Sequence, residues 1–284
     1  PNETGSEVTN SNSLTSFDSD GFSLGSNNEQ NSNGQSFASW NWKAGGTAVS
    51  NTDGSITSSV SANTTNGFSI VSYTGTGANA TVGHGLGVAP KMVIVKNRDG
   101  TQGWGVYHAS LGNTKFLILN TNAAEGTAST FWNNTTPTSS VFSIGTSGWM
   151  NDSSNNYIAY CFADVKGFSK MGSYTGNGST DGTFIYTGFS PSFIMFKNAS
   201  VTESWTILDL KRASVPNANP NANVLWPNDN YAEYDETQGI DFLSNGFKVR
   251  ESATGFNGSG NTIIYMAFAE NPLVGTNNVP ATAR

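Results

Sequence analysis

The sequence predicts an all-β protein made of tandem β-sandwich repeats of jelly-roll type, each about 100 residues long. Short apolar and aromatic runs, separated by Gly, Asn, Asp or Pro, are typical of strands and turns. No apolar pattern with helical period extends beyond a turn or two, and matched landmarks recur along the chain. A β-solenoid would repeat at a much shorter period and is the weaker alternative. The clearest predicted strands are 92–95, 116–119, 157–162, 193–196 and 263–268.

The composition excludes several classes of protein. Of the 284 residues, 12% are aromatic and only 12% are charged, and nearly half are Gly, Ser, Thr or Asn. A disordered chain would be poorer in aromatic residues and richer in charge. Ala, Leu, Glu, Lys and Arg are too scarce for a helical bundle. No run approaches the roughly 18 apolar residues of a membrane-spanning helix.

The charge and the cysteine content exclude further kinds of binding site and crosslink. The net charge is −7 and the 13 Lys and Arg residues are spread singly, so no basic stripe is available to neutralise nucleic-acid phosphates. The lone cysteine, Cys161, excludes an intrachain disulfide framework and a multi-cysteine metal site. The start at Pro1, with neither an initiator Met nor a signal peptide, is typical of a segment of a longer protein.

Two complete copies of one pattern are present. Tyr73-Thr74-Gly75 recurs as Tyr174-Thr175-Gly176, and the same offset of 101 positions relates Pro90 to Pro191. Further landmarks in this register are Gly87 with Gly188, Lys96-Asn97 with Lys197-Asn198, and Trp104 with Trp205. We therefore place the second repeat, the first complete copy, at 67–166 and the third repeat, the second complete copy, at 167–272.

The back half of the pattern occurs a third time, at the start of the chain. An Asn-x-x-x-x-Glu element at 2–7 matches those at 120–125 and 228–233. A Phe-led run and then an apolar strand, predicted at 37–42, follow it as they do in both complete copies. Residues 1–46 are therefore expected to be the C-terminal half of a truncated first repeat.

Two segments lie outside the repeats. Residues 47–66 are rich in Ser, Thr and Asn and are predicted to be either a linker or an edge strand, the latter through 55–57 and Val60. The tail at 273–284 has low complexity and is expected to be loosely held. Asp20-Gly21 and Asn245-Gly246 are predicted hairpin turns.

His84 and His108 are the only histidines and so the first candidates for a general base. At the repeat offset they become Ile185 and Asp209, so a function common to both copies cannot depend on either. The glycines around His84 suit a turn better than a phosphate loop, because Pro90 and a strand follow in place of a helix. We expect His84 to be structural or to face solvent.

The Asn-x-x-x-x-Glu elements admit two interpretations. Asn stabilises turns and Glu can accept backbone N–H groups, which favours a structural role. Three polar loops could instead bind ligands or cations, and the oxygen-rich third element could hold calcium. Asp18-x-Asp20-Gly21 has no bidentate Glu at the required spacing and is interpreted as a turn.

No residue is assigned a catalytic, cofactor-binding or metal-binding role. Glu125 and Asp164 have no context that singles out a glycosidase pair, and Cys161 lies in a strand pattern without a histidine. Trp104 and Trp205 occupy matched positions and are predicted core anchors. The other tryptophans, where exposed, could stack on sugar rings; they are Trp40, Trp42, Trp132, Trp149 and Trp226.

Seven stretches resemble the tandem repeat domains of unknown function in virion proteins of marine bacteriophages, usually labelled tail fibre or tail proteins. They are FDSDGFSLG (17–25), WNWKAGG (40–46), NTDGSITSSVSANTTNGFSIVSYTGTG (51–77), VGHGLGVAPKMVIVKNR (82–98), YIAYCFADVKGFSKMGSYTGNG (157–178), FLSNGFKVRES (242–252) and YMAFAENP (265–272). The resemblance implies a β-rich array on the virion surface, often preceded by a lectin-like or SPRY-like domain, with no known catalytic residues.

The function expected from these observations is that of a non-enzymatic phage structural protein, tail-fibre-like and homotrimeric, without a cofactor. It would lie on the virion surface, contact other virion proteins and bind host-surface glycan, with no nucleic-acid binding or membrane insertion. Weak sites repeated along a chain and by symmetry give avidity. Three alternatives stay open: a capsid decoration or scaffold protein, a polysaccharide depolymerase, and a bacterial surface adhesin.

Overall fold

The computed structural model describes residues 2–213 and 219–270, and these residues form a mostly β structure of several antiparallel sheets. The helices in this part of the chain are single turns, none of them long enough to cross a membrane. The predicted tail at 273–284 lies outside the described residues. An N-terminal hairpin pairs β1 (Leu14–Phe17) with β2 (Phe22–Leu24). The helices are α1 (Asn28–Asn31), α2 (Ser129–Trp132), α3 (Gly148–Asn151) and α4 (Thr254–Asn257).

The first complete copy contributes most of an eight-stranded sheet and a separate two-stranded sheet. Its strands, with the two that precede them, are β3 (Val49–Asn51), β4 (Ser58–Asn63), β5 (Phe68–Thr74), β6 (Ala80–Gly83), β7 (Met92–Asn97), β8 (Gly105–His108), β9 (Lys115–Ile118), β10 (Gly126–Thr127), β11 (Val141–Ile144) and β12 (Asn156–Phe162). The order in the large sheet is β10-β9-β8-β7-β12-β5-β4-β3, and β11 pairs with β6. β12 is therefore a central strand between β5 and β7.

The second complete copy forms two four-stranded sheets. Its strands are β13 (Ser169–Thr175), β14 (Phe184–Tyr186), β15 (Phe193–Asn198), β16 (Thr206–Asp209), β17 (Asn221–Val224), β18 (Tyr234–Leu243), β19 (Gly246–Val249) and β20 (Thr262–Phe268). The orders are β13-β20-β15-β16 and β14-β19-β18-β17. The pairing β5-β12-β7-β8 in the first copy thus has the same order as β13-β20-β15-β16 in the second.

Alternation along the central strands divides their side chains between two cores. In β7, Val93 and Val95 pack in a core with residues of β6 and β11, whereas Met92 and Ile94 point to the other face. That other face meets the second copy, whose Phe193 and neighbouring apolar residues belong to the same cluster. Because both faces of these sheets are covered, every residue of β7 and β15 is buried. A third core lies within the second copy, around Ile194 and Phe196.

The prediction of a strand at 37–42 is wrong. This segment pairs with no strand in the described structure, whereas its counterparts β12 and β20 each pair with two. Without ladder partners on either side, the aromatic residues alone decide its position. Trp40 and Trp42 pack against the cluster between the two copies.

Residues 47–66 follow the edge-strand interpretation. β4 pairs with β5 from Asn63↔Phe68 to Ser59↔Ser72, and β3 covers β4 in turn. Ile56 and Val60 are buried in the first-copy core, which explains why a polar segment is held in the sheet. Both predicted turns occur, one between β1 and β2 and one between β18 and β19.

Candidate functional site

A cavity of about 990 Å³ has a mainly apolar lining that is rich in aromatic side chains. Its floor is the outer face of the first-copy sheet. One wall is the turn of the β1–β2 hairpin, and the other is the segment 40–43. The floor residues are Phe68, Ile70, Ile94, Trp104, Leu119, Tyr160 and Phe162. We call this cavity the aromatic cleft.

The hairpin wall is held in shape by Asp18. Its carboxylate accepts hydrogen bonds from the hydroxyls of Ser16 (2.9 Å) and Ser23 (2.8 Å), which lie on the two strands. The Asp18 N–H also donates to the Gly21 carbonyl at 2.9 Å and closes the turn. This bracing presents Phe17, whose surface is 81% exposed, at the mouth of the cleft.

The second wall is positioned by two tryptophans. The indole N–H of Trp40 donates to the Asp209 carboxylate at 3.1 Å, and the Arg212 guanidinium lies 5.7 Å from the Trp40 ring centroid. Trp42 makes edge contacts with Phe162, Phe193 and Phe268 at centroid distances of 6.1, 5.5 and 5.5 Å. A segment without secondary structure is therefore fixed by ring packing and one charged anchor.

Polar groups lie around this aromatic lining. Asp20, Asn41 and Lys43 are exposed and line the cleft, so a carboxylate, an amide and an ammonium group face one cavity. Burial raises the pKa of Tyr160 above its ordinary value, so its hydroxyl stays protonated and can donate. Aromatic faces with a few polar groups at the rim suit a ligand that is apolar on one face and rich in hydroxyls at its edge.

A sequence family described as "Domain of unknown function (DUF7483)" matches residues 1–272 as one unit. The chain belongs to the DUF7483 family. The match includes the N-terminal segment as well as both complete copies, so every wall of the aromatic cleft lies within the DUF7483 domain. No curated protein and no solved structure matches the chain.

The two histidines of the DUF7483 chain are fully buried, so the solvent-facing alternative for His84 is wrong. His84 Nδ1 accepts the Leu86 N–H at 3.2 Å, and Nε2 lies 3.1 Å from the Thr138 carbonyl. His108 Nδ1 accepts the Ser110 N–H, and Nε2 lies 3.2 Å from the Tyr265 carbonyl in the second copy. Desolvation lowers both pKa values, that of His108 to about 4.

Cys161, Glu125 and Asp164 are apart from the aromatic cleft. Burial raises the pKa of the Cys161 thiol to about 12, which keeps it protonated. The Glu125 carboxylate pairs with Lys115 at 3.0 Å. Asp164 pairs with Lys170 at 3.1 Å and accepts the Met171 N–H at 2.8 Å. The DUF7483 chain therefore uses these two carboxylates in separate ion pairs.

The tryptophans fall into different environments. Trp205 and Trp132 are buried, whereas Trp104, predicted to be a core anchor, is partly exposed and contributes to the cleft floor. Of the five candidates for sugar stacking, Trp40 and Trp42 line the cleft, while Trp149 and Trp226 are half-buried outside it. Phe17, Phe22 and Tyr160 also line the cleft, and they were not predicted from the sequence. The only available signal was the Asp20-Gly21 turn with a Phe on each side.

The Asn-x-x-x-x-Glu elements have direct structural partners. Asn120 Oδ1 accepts the Trp104 N–H at 2.8 Å, and Asn228 Oδ1 accepts the Trp205 N–H at 2.7 Å. Glu233 pairs with Arg212. Within residues 2–213 and 219–270, no group of three or more His, Cys, Asp or Glu side chains is arranged to hold a metal ion.

Proposed function

We propose that this chain is a non-enzymatic structural protein of a bacteriophage particle, tail-fibre-like, that attaches to the host surface by binding glycan in the aromatic cleft. The observation that carries the proposal is the cleft itself, with its aromatic floor and its polar rim at Asp20, Asn41 and Lys43. The placement on a virion and the homotrimer come from the resemblance of the sequence to phage repeat domains.

The dimensions of the cleft fit a short saccharide. Its volume of about 990 Å³ is at the upper end of the range typical of small-molecule sites. A pyranose presents a C–H face that packs on an aromatic ring, as Trp40, Trp104 or Phe17 could provide. Its hydroxyls would meet the Asp20 carboxylate and the Lys43 ammonium, which accept and donate respectively.

The architecture that supports this function is two β-sandwich units in tandem. The strand order common to the two copies, with a core in each copy between a central sheet and a second sheet, favours this description. The units pack face to face through the core that contains Met92 and Phe193, so they would hold the cleft on a rigid base. Three chains in a homotrimer would present three clefts, and avidity would compensate for a weak individual site.

Glycan binding is tested with full-length protein and soluble surface polysaccharide from candidate host bacteria, by isothermal titration calorimetry. Phe17→Ala and Asp20→Ala change exposed side chains of the cleft, so their effect on folding should be small. Loss of one stacking ring worth about 1 kcal/mol weakens binding about fivefold. Tyr186→Ala is the matched control, since Tyr186 is 65% exposed on β14, outside the cleft.

The result that supports the proposal is saturable binding that both cleft variants weaken and Tyr186→Ala leaves unchanged. Equal binding by all four proteins would refute the cleft as the site. No binding to any polysaccharide would favour a decoration or scaffold role on the particle. Release of new reducing ends from the polysaccharide would contradict the non-enzymatic assignment, because a depolymerase cleaves what it binds.

A further inference from the structure

The first two Asn-x-x-x-x-Glu elements dock on the unit that follows them through the same backbone hydrogen bond. The Glu7 N–H donates to the Arg98 carbonyl at 2.7 Å, and the Glu125 N–H donates to the Ala199 carbonyl at 2.8 Å. Arg98 and Ala199 stand at matched positions, directly after β7 and β15. The last residue of each element therefore contacts the same strand end in the following unit.

Two more contacts are similar in the two docked elements, although the donor to the third residue differs and Ile118 lies two residues before its element. The third residue of each offers its carbonyl: Thr4 accepts from Lys96 Nζ at 3.2 Å, and Asn122 accepts from the Glu203 N–H at 2.9 Å. The matched tryptophans donate their indole N–H groups to a carbonyl of the incoming segment. Trp104 donates to the Glu3 carbonyl at 3.1 Å, and Trp205 donates to the Ile118 carbonyl at 3.0 Å. Each following unit thus makes three hydrogen bonds to the incoming segment, accepting one at a backbone carbonyl and donating two, and we call this surface the acceptor site.

The side chains at the two ends of an element anchor it to its own copy. In the second element these anchors are the Asn120–Trp104 hydrogen bond and the Glu125–Lys115 ion pair. The third element has the equivalent pair of anchors, Asn228–Trp205 and Glu233–Arg212. The third element is therefore held in place in the same way as the second.

The described residues include no further unit on which the third element docks. Among the described residues, neither the Asn230 carbonyl nor the Glu233 N–H has a hydrogen-bond partner, although the matched groups of both other elements are bonded. Tyr231 and Tyr234 beside them are 69% and 54% exposed and contact the Trp226 ring. An apolar patch with unpaired backbone groups, on a segment that is already positioned, is a preformed interaction surface.

We propose that the third element, 228–233, docks on the acceptor site of a second copy of this chain, after that copy releases its own residues 2–7. We identify the binding partner from the contacts of the first two elements, because the acceptor site at Arg98 already binds an element of this type within the same chain. This contact is heterologous, so it adds units head to tail, into a ring if the rotation between copies closes and into an open array if it does not. In the intact chain, residues 2–7 compete with the third element of a second copy for the acceptor site. Because residues 2–7 are tethered to that site, their effective concentration is higher.

The test releases residues 2–7 and measures association by analytical ultracentrifugation across a range of concentrations. Glu7→Pro removes both the N–H and the carboxylate that contact Arg98, and Arg98→Ala removes the guanidinium from the other side. Glu7 and Arg98 both lie outside the strands, so we expect the fold to be retained. We expect wild type to keep one mass, whatever closed oligomer it forms, and each released variant to gain at least twofold in weight-average mass as concentration rises.

A second substitution in the released background identifies the surface. Glu233→Pro removes the outward N–H and should abolish the added association, whereas Glu233→Ala loses the Arg212 ion pair but keeps the N–H and should still associate. Thermal unfolding of each variant verifies that it is folded. Released variants that keep the wild-type mass at all concentrations overturn the proposal. Association that survives Glu233→Pro overturns it as well.

Discussion

Acidification should destabilise this protein because of His108. Its ring is almost completely desolvated between the two copies, with Nε2 directed at the Tyr265 carbonyl and Nδ1 occupied by the Ser110 N–H. Burial lowers its pKa from 6.5 to about 4, against the weaker opposing effects of the Tyr265 carbonyl and the Asp164 charge. The folded state therefore accommodates neutral His108.

The magnitude follows from linkage between proton binding and folding. Between pH 6.5 and 4 the unfolded chain binds a proton at His108 that the folded chain does not, so the free energy of unfolding falls as the pH falls through this window. A difference of about 2.5 pKa units corresponds to about 3 kcal/mol in total, of which about 2 kcal/mol is lost by pH 5. Above pH 6.5, His108 changes the free energy of unfolding little. The pKa of His84 is also lowered by burial, so it acts in the same direction.

The assay is urea denaturation of wild type and His108→Gln between pH 7 and 5. Gln can donate an N–H to the Tyr265 carbonyl but does not titrate. The free energy of unfolding of the variant should therefore fall less on acidification, and we expect the variant to be less stable than wild type at pH 7. We expect the wild type to lose about 2 kcal/mol more than the variant over this range. Equal losses in the two proteins would refute the assignment of the pH dependence to His108.

Three further perturbations test the packing. Gly176→Ala places its Cβ 2.2 Å from the Gly258 carbonyl oxygen and should cost about 1–3 kcal/mol in urea denaturation, whereas Gly5→Ala, with no atom within 4 Å, should cost little. Phe142→Ala removes a fully buried ring from the first-copy core and should cost about 3–5 kcal/mol by the same assay. The buried Cys161 thiol should resist alkylation by iodoacetamide in native protein and react on unfolding, and rapid native labelling would contradict its placement.

The strands were predictable because local chemistry marks them. The runs at 92–95, 157–162 and 193–196 are all strands in the structure, each extended at one end by one or two residues. Apolar residues at nearly every position of these runs are typical of strands covered on both faces. The same argument failed at 37–42, because a strand also needs neighbours to pair with.

The aromatic cleft was only partly predictable. Composition pointed to tryptophans as sugar-stacking candidates, and two of them, Trp40 and Trp42, do line the cavity. Phe17 and Tyr160 join them from parts of the chain more than a hundred residues apart, and no periodicity relates those parts. The placement of Trp40 depends on Asp209, a residue of the second copy whose counterpart in the first copy is His108, so the carboxylate is not part of the repeated pattern.

By itself the sequence determined the all-β class, most strand positions, the turns and the matched elements, because each depends on side chains close together along the chain. Only the tertiary structure decided which sheet faces meet, since an outward-pointing Met92 or Phe193 is equally apolar whether it faces ligand, solvent or another sheet. It also revealed the docking role of the Asn-x-x-x-x-Glu elements. That role resides in backbone N–H and carbonyl groups, which every residue except proline carries and which leave no pattern in the sequence.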